Sequence, residues 1–128
     1  MTARWTSWFA TTYGSTTGSV YAKCTASSPT SFTRQVIITD GQVVTSTDPI
    51  TGEPATTVNV PTNPTPSQRI DFTINHVPNG GDHGYILFNE QTLGADGYTR
   101  TLNAVHIVME GPNAFGDLVI GQVKCGRP

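Results

Sequence analysis

Thirteen glycines and nine prolines, many of them clustered, punctuate this 128-residue chain so that turn sites recur roughly every ten residues. The runs between them are too short and too β-branched for stable helices, whereas Val, Ile and Thr suit a pleated surface. Short β-rich runs at such spacing, bounded by turn residues, predict an all-β fold. The expected architecture is an antiparallel β-sandwich, immunoglobulin-like or jelly-roll-like, of about seven to nine strands.

Individual strands follow from periodicity. From Arg69 to His76 the pattern alternates, with Ile70, Phe72, Ile74 and His76 on one side and Asp71, Thr73 and Asn75 on the other. Tyr85 to Glu90 forms a more apolar run, and Thr99 to Met109 and Asp117 to Cys125 are the longest candidates. Gly97 and the cluster Gly111-Pro112-Asn113 bound them as turns, and Gly121 marks a bulge or a close approach to bare backbone. Asp40-Gly41, between Val36-Ile37-Ile38-Thr39 and Gln42-Val43-Val44-Thr45, predicts a two-residue hairpin. Between Thr47 and Gln68 five prolines predict a long surface loop crossing one end of the sandwich, in which only Thr56 to Val60 could pair. The whole reads as a single domain over residues 19–128, preceded by an aromatic arm over residues 1–18.

Composition narrows function by exclusion. Only 12 % of residues are charged, about half the usual ~25 %. Net charge is −2, and Lys23 and Lys124 are the only lysines, so the clustered positive charge that nucleic-acid binding needs is missing. No apolar run approaches the ~20 residues of a membrane-spanning helix. Cys24 and Cys125, near opposite ends of the chain, read either as two buried thiols or as a disulfide. The Thr-rich, low-charge composition favours the disulfide and an oxidising compartment, extracellular or at the cell surface. The N-terminus shows no basic segment followed by an apolar core, so a secreted form is expected to be a mature one.

No pattern for catalysis emerges. The nine acidic residues are scattered, mostly in expected turns where Asp bonds its own backbone. His76, His83 and His106 match no metal-ligand spacing, and His106, within an apolar strand, reads as a hydrogen-bonded core imidazole. Asp82-His83, beside Gly80, Gly81 and Gly84, reads as a solvated turn, with a ligand-holding loop as the alternative. No nucleophile elbow, phosphate loop or dinucleotide fingerprint is present. No catalytic, cofactor-binding or metal-binding residue is therefore assigned, and no cofactor is expected. The arm, with Trp5, Trp8, Phe9 and Tyr13, reads as an ordinary first strand or as a strand added to a neighbouring subunit's sheet.

Over residues 86–126, Ile86-Leu87-Phe88-Asn89-Glu90-Gln91, then Thr101-Leu102-Asn103-Ala104-Val105-His106-Ile107-Val108, then Gly116-Asp117-Leu118-Val119-Ile120-Gly121-Gln122-Val123-Lys124-Cys125-Gly126 resemble the choice-of-anchor P family of secreted, mostly actinobacterial surface proteins. The resemblance implies an extracellular location and a Cys24–Cys125 bridge, and implies no activity. Asn89 and Asn103 are then expected to satisfy backbone groups at strand ends, with Gly116-Asp117 turning into the last strand. The expected function is a non-catalytic structural module that self-associates into a fibre or surface layer. The alternatives are a surface-ligand module, with Trp5, Trp8, Tyr85 and Tyr98 stacking on sugar rings, and a small β-fold enzyme.

Overall fold

The structure, a computed structural model, describes residues 2–7, 18–28, 31–75 and 81–126. They are built from strands, without a helix: β1 (Thr2–Ser7), β2 (Gly18–Ser28), β3 (Ser31–Thr39), β4 (Gln42–Thr47), β5 (Pro54–Asn59), β6 (Gln68–Ile74), β7 (Asp82–Leu93), β8 (Arg100–Glu110) and β9 (Phe115–Cys125). Two sheets form, one in the order β1-β2-β3 and one in the order β5-β4-β6-β7-β8-β9. Every pairing is antiparallel except β4 with β6, which meet in parallel at Ser46 and Thr73. The expected sandwich is thus present, with a mixed larger sheet.

The core lies between the layers. Val20, Ala22, Cys24, Val36 and Ile38 come from β2 and β3, and Phe72, Ile86, Phe88, Leu102, Ala104, Val105 and Val123 from β6 to β9. The smaller sheet lies over the β8–β9 side of the larger one, with β2 against both strands and β1 against β9. Thr2–Ser7 of the expected arm pairs with β2 of the same chain, Trp5 opposite Val20. Trp8, Phe9, Tyr13 and His76 lie outside the described residues.

The hairpin expected at Asp40-Gly41 is not formed: β3 and β4 belong to different sheets. A two-residue type I′ turn needs positive φ at both central residues, and only Asp40, at 52°, has it. The chain instead turns a corner from one layer to the other. Val36 and Ile38 then face Val43 across the core instead of standing beside it. Gly41 makes the corner possible, because a Cβ there would stand 2.6 Å from Ile38 Cγ2 and 3.1 Å from Val60 Cβ.

The proline-rich stretch is also more ordered than a loop. β5 pairs with β4 through a turn in which Asp48 Oδ1 accepts from the Ile50 and Thr51 amides at 2.8 and 2.9 Å. Residues 60–67 then bridge both layers. Thr62 O accepts from the Ile38 amide of one sheet, and Pro64 O accepts from Asn89 Nδ2 of the other. Asp82-His83 opens β7 instead of forming a loop. The buried Asp82 carboxylate accepts from the backbone amides of Asn113 and Ala114 and so pins the β8–β9 turn.

Cys24 and Cys125 are joined as a disulfide, with Cα atoms 5.8 Å apart and a sequence separation of 101. The bond ties β2 of the smaller sheet to the end of β9 in the larger one. Closing so long a loop constrains the unfolded chain by about 4–5 kcal/mol. A Cys24→Ser, Cys125→Ser double variant is expected to lose about 4 kcal/mol of unfolding free energy, read from the urea midpoint against the oxidised protein.

Candidate functional site

The densest polar constellation lies on the outer face of the larger sheet, across β7, β8 and β9. Its centre is His106, which stands opposite Leu87 on β7 and Val119 on β9. Three residues along, Asn103 stands opposite Glu90 and Gln122. Side chains alternate along a strand with a period of two, so residues three apart face opposite sides. By that rule Glu90 and Asn103 belong on the core side, away from His106.

They do not point there, because the row between them breaks the alternation. Asn89 on β7 (φ 56°) and Gly121 on β9 (φ 70°) both take left-handed backbone, and both flank Ala104 on β8. Pairing stays in register on either side of this row. Ala104 and Val105 are consecutive yet both fully buried, which marks the change of phase on β8 itself. Beyond the row, Leu102 and Val123 turn inward, and Glu90, Asn103 and Gln122 turn outward to join His106. Gly121 thus acts as a phase shift without a bulge in the register. A left-handed conformation costs an ordinary L-residue about 1–2 kcal/mol, least for Gly and Asn.

The resulting contacts are close. His106 Nδ1 lies 3.0 and 3.1 Å from the two Glu90 carboxylate oxygens, and Nε2 lies 2.8 Å from Asp117 Oδ2. Asn103 Nδ2 donates to Glu90 Oε1 at 2.7 Å, and Gln122 Nε2 donates to Asn103 Oδ1 at 3.0 Å. The His106 and Glu90 side chains are 18 % and 17 % exposed, and that of Asp117 is 62 % exposed, so the network is closed at one end and open at the other. Burial pulls the His106 pKa down, but the hydrogen bonds and charges of Glu90 and Asp117 outweigh it and hold it above its ordinary value.

Chemically this cluster is self-satisfied. Both imidazole nitrogens are engaged by carboxylates, so neither is left as a base for a substrate, and no nucleophilic hydroxyl or thiol is among the partners. His106 is not the core imidazole expected from its apolar neighbours. It faces outward, because Val105 and Ala104 take the inward positions. Asn103 serves this network and not a strand end. Asn89 does satisfy loop backbone, donating to Pro64 O at 2.9 Å while its own carbonyl accepts from the Ser67 amide at 3.0 Å. Gly116 and Asp117 lie within β9, after the turn instead of forming it.

The other candidates do not converge. His83 is exposed on β7, four residues before Leu87 and so about 13 Å along the strand from the level of His106. Among the described residues no group of three or more His, Cys, Asp or Glu is arranged to hold a metal ion. Tyr85 carries the Arg69 guanidinium 3.9 Å from its ring centroid, so one face of the ring is already covered. Tyr98 sits in the turn beyond the other end of β7, roughly 25 Å along the strand, and shares no platform with Tyr85. Two shallow depressions of about 330 and 310 Å³ lie over β2 and β3, around Tyr21 and Ile37 and around Lys23 and Arg34, and neither pairs a nucleophile with a base. No described helix is long and apolar enough to cross a membrane.

No family model, curated protein or solved structure matches this chain. The cluster is drawn from the C-terminal third of the chain: Asn89, Glu90, Asn103, His106, Asp117, Gly121 and Gln122 all fall on it or on the row that shapes it. Sequence reasoning could not pair Glu90 with Asp117, since their convergence needs the phase shift. The one readable signal was Gly121, a glycine inside an apolar strand that reads from sequence as a bulge or a close approach to bare backbone.

If the left-handed row builds the cluster, Gly121→Ala is expected to destabilise the protein by about 1–2 kcal/mol in urea unfolding. The same variant should move the His106 ring resonances in NMR, although residue 121 is not among the network's hydrogen-bonding partners.

Proposed function

We propose that this protein is a non-catalytic, extracellular structural module of the choice-of-anchor P kind, which associates with copies of itself through the outer edge of β9. The observation that carries this reading is the character of that edge. β9 ends the six-stranded sheet after eleven residues, with no strand beyond it among the described residues. It leaves Phe115 75 % and Leu118 58 % exposed. Long, apolar, unpaired edges are templates for a further strand unless charge or proline blunts them. The opposite edge, β5, is blunted: it is short, starts at Pro54 and is irregularly paired with β4.

Charge placement supports a second copy as the occupant. Antiparallel pairing of two β9 strands, centred between Ile120 and Gly121, sets Asp117 against Lys124 twice. Seven residues apart, these two would face opposite sides under strict alternation, but the left-handed Gly121 returns them to the same face. Directly opposed unlike charges stabilise such a register. With only 12 % of residues charged, little repulsion opposes association. The disulfide favours an oxidising compartment, and the saturated His106 cluster supports the absence of catalysis.

Sedimentation velocity of the non-reduced protein, with electron microscopy of the same samples, tests the proposal. Concentration-dependent oligomers or ordered assemblies are expected, and Leu118→Lys should return the protein to a folded monomer because a charged edge resists pairing. A monomer at every concentration, or assembly indifferent to Leu118→Lys, refutes it.

A further inference from the structure

We propose that Glu90, His106 and Asp117 form a pH-sensitive tie which locks the edge strand β9 to β8 and β7 while the imidazole is charged and slackens when it is neutral. The argument starts from donors and acceptors. An ionised carboxylate only accepts hydrogen bonds, and an imidazole donates from both nitrogens only when protonated. Here both nitrogens face carboxylates, at 3.0 Å on the β7 side and 2.8 Å on the β9 side. The neutral ring carries one proton, so one nitrogen must turn a lone pair toward a carboxylate oxygen. That contact is repulsive.

Which side yields is set by the surroundings. Glu90 is held a second time by Asn103 Nδ2, which is itself fixed by its bond from Gln122. Asp117 is mostly exposed, and among the described residues no other hydrogen bond holds its carboxylate. Loss of the proton therefore retains the Nδ1–Glu90 bond and releases Asp117, the one member on the edge strand. Among the described residues no competing charge faces the ring. From β7 the facing group is Glu90, and from β9 it is Asp117. On β6 the nearest charged residues on this face are Arg69 and Asp71, bonded to each other at 2.8 Å. On β8 itself Glu110 lies four residues away, and on β9 Lys124 lies seven residues from Asp117. The smaller sheet packs on the opposite face.

The sign follows from linkage. The folded imidazole holds its proton more tightly than the unfolded one, so the stabilisation is complete below the unfolded pKa and is lost as pH rises through the higher folded value. The window therefore opens near the ordinary histidine range, around pH 6.5, and extends above it. The tie concerns β9 within one chain and stands whether or not copies associate.

NMR titration of the ring resonances, with amide exchange at about pH 6 and about pH 8.5 on either side of that window, tests the proposal on the disulfide-bonded protein. His106 is expected to titrate above the ordinary histidine value. After correction for intrinsic rates, amides between Asp117 and Val119 should exchange faster at the higher pH, while those of β6 do not. In Asp117→Asn, where the amide can donate to a neutral ring, the His106 midpoint should fall by about one pH unit and the pH dependence of β9 exchange should vanish. A His106 midpoint at or below the ordinary histidine value, about 6.5, or unchanged exchange in β9 across the window, overturns the proposal. So does an Asp117→Asn variant that titrates like the parent.

Discussion

Side chains on neighbouring strands can form one network only if they emerge on the same face, and in a regular sheet that restricts partners to even spacings. His106, Asn103 and Glu90 meet across odd spacings, and the row Asn89, Ala104 and Gly121 is what permits it. Left-handed backbone is tolerated at Gly because no Cβ clashes, and at Asn when its short amide finds local partners. Asn89 finds them in the 60–67 segment, so the loop that bridges the sheets also holds the phase shift in place. Both faces of the sheet depend on this row. Inside it lets Ala104 and Val105 bury together, and outside it assembles the polar cluster.

The small side chain at the centre of that row also matters to the packing of the layers. Ala104 on β8 and Ala22 on β2 are both fully buried in the one core, and the disulfide lies on the same two flanks of the sandwich. Small residues let backbones approach, and close approach is what a 5.8 Å Cα separation between sheets requires. Among the described residues, the Asp40-Gly41 corner, the 60–67 bridge and the Cys24–Cys125 bond join the layers through covalent or hydrogen-bonded ties. The first two lie early in the chain and the last closes over both.

These features were unequally legible. β6 to β9 could be read from period-two patterning and from the turns at Gly97 and Gly111, because burial on one face imposes that pattern directly. The destination of β4 could not. Val36, Ile38 and Val43 would alternate in the same way whether β4 paired with β3 or faced it across the core, and Asp-Gly suits a hairpin as well as a corner. Here tertiary closeness at Gly41, which leaves no room for a Cβ, decides against the local preference. Asp82 was opaque for a related reason: its partners are amides 31 and 32 residues away, brought near only by the β8–β9 turn. The cluster itself was legible as residues but not as a site, since every periodicity argument assumes the alternation that Asn89 and Gly121 break.

The residue chosen for the centre of the cluster carries a physical consequence. A lysine or arginine between two carboxylates would remain charged at every physiological pH, and arginine would present five donors in a fixed fork. Histidine fits a flatter gap, with one donor on each side along the line from β7 to β9, and its charge is conditional. In a chain with only nine acidic and seven basic residues, committing two carboxylates to one imidazole leaves one negative charge uncompensated while the proton is bound and both once it departs. Glu90 keeps its amide partner and stays in place. The imbalance therefore falls on Asp117, on the strand that ends the sheet among the described residues, so the same protonation that decides how firmly β9 is held also decides how negative that edge is.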